Sequence, residues 1–167
     1  YLWIAQNVAL TATALWRLHL YIEVFTLSRW RVAAAVWLLL VIVGLVLILV
    51  RILSRRSNQW LIGANALSLI AVLYSLAWVD IDAAIAEYNV RNCREVGGTG
   101  VPIDAKYLRE LGPEALPAID WLAGRINDAA VRAELDGVRY QLKRELAVEL
   151  AAWQGWTLRR SQLASAY

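Results

Sequence analysis

The pattern of apolar and polar positions is dominated by one uninterrupted apolar run, Val32–Val50. It contains no charged residue, its only polar side-chain group is the indole N–H of Trp37, and Arg31 and Arg51 lie on either side of it. At a rise of about 1.5 Å per residue it would form a helix about 28 Å long, close to the thickness of the bilayer hydrocarbon core. A helix of a soluble core would have polar positions on one side. The run therefore predicts a membrane-spanning helix.

A second uncharged run of spanning length, Trp60–Val79, follows after a short connector at residues 51–59. Trp60 and Trp78 lie near its two ends, where tryptophan is enriched in membrane helices. Small residues predict a side for close helix contact; they are Gly63, Ala64, Ala66 and Ser68. Because the connector is too short to hold a domain, the two runs predict an antiparallel helical hairpin.

The residues before these runs predict a further helix at 1–27, with a membrane span at about 2–27. Polar residues interrupt this helix and favour one that is packed in a bundle. They are Gln6, His19 and Glu23, and Asn65 of the second run is a further polar residue within the spans. Two interpretations are open for His19 and Glu23. They could form a proton or substrate site within a bundle, or lie at headgroup level with Arg17 as the partner of Glu23. We expect the second.

Aromatic and basic residues at the ends of the runs predict positions at the membrane interface. These candidates are Trp30, Arg31, Arg51, Arg55, Arg56, Trp60 and Trp78. Ser28 is a candidate N-cap for the helix that follows it.

Charge in the short loops predicts an orientation, because lysine and arginine favour the cytoplasmic side. The connector has three arginines and no acidic residue, whereas Asp80, Asp82 and Glu87 follow the second run. This bias predicts a cytoplasmic connector, with residues 80–167 on the opposite side of the membrane; in a bacterial inner membrane that side would be the periplasm. The arginines at positions 29 and 31 weigh against it.

The second half of the chain alternates apolar and charged positions, as water-soluble helices do. It predicts an exit helix and glycine-rich linker at 80–103, then an extramembrane helical hairpin at 104–167. Pro117 would bend the first hairpin helix or move its start later. The expected buried stripes are Leu116, Ile119, Leu122 and Ile126, then Val131, Leu135, Val138, Leu142, Leu146 and Leu150. The loop Gly97–Gly100 follows no strand and precedes no lysine, so we expect a flexible connector rather than a phosphate-binding loop.

The tail holds two tryptophans close to two arginines: Trp153, Trp156, Arg159 and Arg160. The tryptophans could fold back over Leu146 and Leu150 and close the hairpin. Alternatively, the tail could lie on a membrane, with the indoles at the headgroups and the arginines on lipid phosphates. We expect the fold-back, because a core of this size needs extra burial.

Net charge and amino-acid composition argue against several classes of function. The net charge is only +3, with no basic run, so we expect no nucleic acid partner. Cys93 is the single cysteine, which excludes an internal disulfide and predicts a free, partly buried thiol. With one histidine and no nucleophile–base set, we expect no catalytic residue, metal or cofactor. The chain has no methionine, so we expect it to be processed or to be the C-terminal part of a longer protein.

Two resemblances are visible. Leu111–Ile119 resembles the opening of a HEAT-like helical repeat, although a single unit does not support an array. A wider series is similar to the C-terminal part of bacterial polytopic membrane proteins classed as domain of unknown function 4173, related to the 4153 class. The series is Tyr21–Arg29 with Arg31, then Ala86–Val90, Ile103–Leu108, Leu111–Ala118 and Trp153-Gln-Gly-Trp156-Thr. Thr26 stands where the family pattern tends to have glycine. The resemblance implies further spans upstream of Tyr1 and no known reaction.

The sequence thus predicts an all-α protein with about three membrane helices followed by a small soluble helical hairpin. The main functional hypothesis is a non-enzymatic accessory or scaffold subunit of a membrane assembly, with the lipid bilayer and other membrane chains, or upstream spans of the same chain, as partners. A transporter or channel fragment, a sensor with an outer partner-binding domain, and a membrane enzyme are the alternatives, in that order.

Overall fold

The computed structural model describes residues 2–98, 100–151 and 157–166, and it divides the chain into two compact units, Tyr1–Val79 and Asp80–Tyr167. The regular structure of the described residues is helical throughout, which confirms the predicted all-α class. The first unit contains α1 (Leu2–Phe25), α2 (Arg29–Leu53) and α3 (Asn58–Trp78). The second contains α4 (Ile81–Asn92), α5 (Ala105–Leu111), α6 (Leu116–Ala123), α7 (Ala129–Ala151) and α8 (Leu158–Ala166), with 3₁₀ turns at Arg94–Val96 and Pro113–Ala115.

In the first unit, α2 packs against both α1 and α3. The α3 residues that are partly buried recur at helical spacing, as a single contact face requires; they are Trp60, Leu61, Ala64, Asn65, Ser68, Val72 and Leu76. Gly44 of α2 lies opposite Asn65, because a Cβ atom at Gly44 would be 3.4 Å from the Asn65 Oδ1 atom. The predicted small-residue side is wrong in part, since Gly63 and Ala66 are exposed and only Ala64 and Ser68 are on the contact face.

Two helices of the first unit, α2 and α3, are long and apolar enough to cross a membrane. They contain the predicted spans at 32–50 and, except for Val79, at 60–79. A core helix of a soluble protein would be mostly buried, whereas Leu45 is the only buried residue of α2 and no residue of α3 is buried. The prediction of a third span at 2–27 is not supported on the same basis, because polar residues make α1 less apolar than α2 and α3.

Both loops of the first unit contain a residue other than glycine in the left-handed region. Thr26, at the end of α1, has φ 84°, which explains why glycine would suit this position. Arg31 donates a hydrogen bond to the Thr26 carbonyl oxygen, and its guanidinium lies 5.9 Å from the centre of the Phe25 ring. Ser28 is the N-cap of α2, as predicted, although its side chain makes no capping hydrogen bond. Arg55, after α2, has φ 49°.

The second unit has an apolar core to which α4, α5, α6 and α7 contribute. The predicted stripe of α6 is confirmed, since Leu116, Ile119 and Leu122 are fully buried, as is Ile126 just beyond it. Most of the α7 stripe is also buried: Leu135, Val138, Leu142 and Leu146, with Val131 and Leu150 half-buried. Pro117 moves the helix start, because α6 begins at Leu116 and Pro117 lies in its first turn.

The separation of residues 80–103 from the hairpin is wrong. Ile85, Ala86 and Val90 of α4 are buried, and α4 packs against α5 and α6. Asp80 caps α4 by accepting a hydrogen bond from the backbone N–H of Ala83 at 3.0 Å. The second unit therefore begins at Asp80, with α4 as part of its core rather than as an exit helix.

The glycine-rich loop is a close-packed turn rather than a flexible connector. The backbone N–H of Gly98 donates to the Cys93 carbonyl oxygen, and that of Gly100 donates to the Asn92 carbonyl oxygen, both at 3.0 Å. The Glu95 carboxylate accepts from the backbone N–H of Ile103 at 3.1 Å. The described residues of this loop thus fold back onto the end of α4.

Candidate functional site

The polar residues of α1 form one close side-chain pair and no larger cluster among the residues that the structure describes. The His19 Nε2 atom lies 3.2 Å from the Glu23 Oε1 atom, one helical turn away, and both side chains are more than half exposed. Glu23 therefore pairs with His19, and the predicted pairing of Glu23 with Arg17 is wrong. An exposed pair of this kind contributes little to stability.

The hypothetical polar site within a bundle is not assembled in the first unit. Gln6, Arg17, His19 and Glu23 are exposed on α1, whereas Asn65 is on the face of α3 that contacts α2. The Asn65 side-chain amide donates to the Leu61 carbonyl oxygen at 2.9 Å, within its own helix. The described residues of α1 and α3 therefore do not line a common polar cavity.

The candidates for the membrane interface differ in how exposed their side chains are. Trp30 and Trp78 are largely exposed, 86% and 69% of their surface, as residues at a lipid interface would be. Arg55 and Arg56 are also exposed, while Trp60 and Arg51 are half-buried. Arg31 differs from the other arginines, because it is bound internally at the corner between α1 and α2.

In the second unit, Arg160 of α8 joins three segments of the chain. Its Nε atom donates to Glu114 Oε1 at 2.9 Å, and its Nη1 atom lies 2.8 Å from Glu149 Oε2 of α7. The hydrogen bond to Glu114 is the largest cause that raises the pKa of the Arg160 guanidinium above its ordinary value. Arg159, next to it, lies 3.5 Å from Asp80 Oδ2. Both arginines therefore contact carboxylates of their own unit.

The structure tests the predicted fold-back of the tail only at α8. Ala164 lines a cavity of about 170 Å³ together with Leu146 and Leu150 of α7, so α8 lies back along the apolar stripe of that helix. Trp153 and Trp156, on which the fold-back prediction depended, lie outside the described residues.

Two adjoining recesses share Ala83, Glu114 and Pro117. One, of about 250 Å³, is lined by Glu87, Arg91 and Trp121 among others, and the second, of about 410 Å³, by residues of α4, α6 and α8.

Trp121 is flanked by two cations, because the Arg125 guanidinium lies 4.1 Å and the Arg91 guanidinium 5.6 Å from its ring centre. Arg91 also pairs with Glu87 at 2.6 Å. The charged side chains of the first recess thus have partners of opposite charge. Such an arrangement suits the binding of a ligand better than the transfer of a proton. The sequence analysis missed this site, and the only local signal was the Glu87–Arg91 spacing of four residues.

Cys93 is buried, as a structural thiol would be. Its Sγ atom donates to the Val90 carbonyl oxygen at 3.1 Å. Burial is the first cause that raises the pKa of the thiol, and the hydrogen bond to Glu95 raises it further. The thiol is therefore protonated at neutral pH and a weak nucleophile. Among the described residues, no three histidine, cysteine, aspartate or glutamate side chains are grouped to hold a metal ion.

Replacing Arg160 by glutamine should lower the free energy of unfolding of the second unit by about 1–3 kcal/mol, because Glu114 would keep a largely buried carboxylate without its partner. Urea denaturation followed by circular dichroism measures the change. Arg144→Gln is the matched control, since the Arg144 side chain is exposed on α7 and its replacement should cost no more than about 0.5 kcal/mol. Equal effects of the two substitutions would contradict the role of Arg160 in holding α8.

Comparison with known proteins places the chain in one family. The model of a domain of unknown function, DUF4153, matches residues 1–122. No curated protein and no solved structure matches the chain. The match confirms the resemblance drawn from the sequence in part, because the matching model is that of the 4153 class, which the resemblance named as related to 4173. It covers α1 to α6, including α4 and the glycine-rich loop. The chain therefore belongs to the DUF4153 family.

Proposed function

We propose that this chain is a non-enzymatic integral membrane component, an accessory or scaffold subunit of an assembly in the bacterial inner membrane. The observation that carries the proposal is the exposed apolar surface of α2 and α3. A soluble protein rarely exposes so large a contiguous apolar surface, whereas lipid or other membrane helices would cover it. The lipid bilayer and further membrane chains are therefore the proposed partners.

The local contacts of the chemistry-bearing side chains support a non-catalytic role. His19 pairs with Glu23 on an exposed helix face, and Cys93 is buried with a protonated thiol. In the second unit, Arg160 bridges Glu114 and Glu149 in a contact that holds α8 in place. Each of these groups has a structural partner, which is what a scaffold requires of its polar residues.

The proposed topology places the connector between α2 and α3 in the cytoplasm and the second unit in the periplasm. Arg31, which weighed against this orientation, is bound to the Thr26 carbonyl oxygen and the Phe25 ring. Arg55 and Arg56 of the connector are exposed and carry the basic bias.

Cysteine labelling in intact cells tests the topology. Ser54→Cys in the connector should resist a membrane-impermeant thiol reagent until the membrane is permeabilised, whereas Ala133→Cys on the exposed side of α7 should react at once. Cys93 is buried and gives a low background. Both variants should remain in the membrane pellet after alkaline carbonate extraction. Release of the chain by carbonate would contradict integral insertion, and reversed labelling would invert the topology.

A sensor with a partner-binding domain is the second candidate. The observation that favours it is the pair of adjoining recesses beside Trp121, which offer an aromatic and charged surface to a ligand. A transporter has less support, because Asn65 is separated from the polar residues of α1.

A further inference from the structure

The connector between α2 and α3 concentrates positive charge that carboxylates do not neutralise. Arg51, Arg55 and Arg56 lie within six residues, and the connector contains no acidic residue. Glu23 is the only acidic residue of the first unit, and it pairs with His19. None of the three connector arginines makes an ion pair within the part of the chain that the structure describes. An external anion is therefore the natural counterpart of this charge.

The backbone of the connector gives a second reason to expect a ligand. Arg55 occupies the position after the α2 C-terminus at φ 49°, where the Arg56 N–H donates back to the Arg51 carbonyl oxygen at 3.1 Å. Glycine is the usual residue at this position because it has no Cβ atom to strain. An arginine that keeps a strained conformation points to a role for its side chain.

The two exposed arginines of the group present their guanidinium groups to solvent. Arg55 and Arg56 are open to an external ligand, whereas the Nε atom of Arg51 is shielded from water and therefore from a ligand as well. A guanidinium group presents several N–H donors in a planar fork that matches the oxygens of a phosphate group. A phosphate beside the connector would be bound by Arg55 and Arg56, and its charge would neutralise theirs.

We propose that the α2–α3 connector binds the phosphodiester headgroup of an anionic phospholipid. This inference rests on the proposed membrane location, because the lipid phosphates would then lie at the ends of α2 and α3. Trp60, near the start of α3, is placed to lie among the headgroups beside the arginines. Basic residues next to a membrane are attracted by anionic lipids, so phosphatidylglycerol is preferred over zwitterionic phosphatidylcholine.

Lipid titration of the purified full chain in a neutral detergent tests the proposal. Native mass spectrometry should show tighter binding of short-chain phosphatidylglycerol than of short-chain phosphatidylcholine. The double variant Arg55→Gln with Arg56→Gln should bind phosphatidylglycerol about 25-fold more weakly, at about fivefold for each arginine. Arg144→Gln on α7 is the matched control, because it removes one exposed charge outside the connector and should leave the affinity unchanged.

A glycine at position 55 separates folding from binding. Arg55→Gly removes the side chain and also relieves the strained backbone, so its thermal midpoint without lipid should equal or exceed that of the natural chain. Its affinity for phosphatidylglycerol should nevertheless fall about fivefold. An unchanged affinity in this variant or in the double variant would overturn the proposal.

Two further outcomes would also overturn the lipid site. Equal binding of the two lipids would show that headgroup charge is not recognised. If inorganic phosphate at the same concentration as the lipid displaced the lipid, the connector would be a binding site for a free anion instead. Carbonate extraction measures membrane insertion separately, so a chain that remains in the membrane but does not select phosphatidylglycerol fails this proposal alone.

Discussion

Replacing Ile85 by alanine should lower the free energy of unfolding of the second unit by about 2–5 kcal/mol. The Ile85 side chain is fully buried in α4, and its removal would leave a cavity where α4 packs against α6. Urea denaturation of a fragment of residues 80–167, followed by circular dichroism, measures this change. The effect should be among the largest of any single substitution in the unit.

Val148→Ala on α7 is the control for this substitution. It removes two methyl groups from a side chain that is 69% exposed, so the free energy of unfolding should change by less than about 0.5 kcal/mol. A small effect of Ile85→Ala, equal to that of the control, would mean that α4 is not part of the core. A fragment that begins at residue 104 lacks the four buried α4 residues and should not unfold cooperatively.

The elements that the sequence analysis predicted correctly are those with a long or regular apolar pattern. The runs inside α2 and α3 and the stripes of α6 and α7 depend on residues close together in the chain, so their periodicity is visible locally. The burial of α4 is different, because its partners α5 and α6 follow a loop of some ten residues. Its apolar residues alone did not distinguish an exit helix from a core helix.

Side-chain pairing was predictable only where helix geometry alone decides it. Residues four positions apart lie about 40° apart around a helix, which brings His19 and Glu23 together. Residues six positions apart lie about 120° apart around the helix, so Arg17 projects away from Glu23.

The ion pair between Arg160 and Glu114 joins residues 46 positions apart. No local pattern connects them, because the fold of the second unit brings α8 to the start of α6. The same holds for the recess beside Trp121, which needs α4 and α6 to be packed together.

For the glycine-rich loop, excluding one kind of structure did not identify the structure that is present. Its context excluded a phosphate-binding loop, and a flexible connector was the remaining expectation. A run of glycines is equally suited to a close approach of two backbone segments, which composition alone does not reveal. Here Gly98 and Gly100 lie directly against the end of α4.

Gly98→Ala should therefore destabilise the second unit by about 1–3 kcal/mol. A Cβ atom at this position would lie 2.3 Å from the Asn92 carbonyl oxygen and 2.7 Å from the Cys93 carbonyl oxygen. Both neighbours are backbone atoms, so the loop itself would have to move, and its hydrogen bond to Cys93 would be strained. The urea midpoint of the 80–167 fragment measures the effect.

Gly137→Ala is the control for a steric effect at Gly98, and it should have the opposite effect on stability. Gly137 lies within α7, is exposed, and has no atom within 4 Å of the position that a Cβ atom would occupy. Alanine has a higher helix propensity than glycine, so this substitution should stabilise the same fragment by about 0.5–1 kcal/mol. If Gly98→Ala were also neutral or stabilising, the loop would have room to accommodate a side chain, and it would not be closely packed against α4.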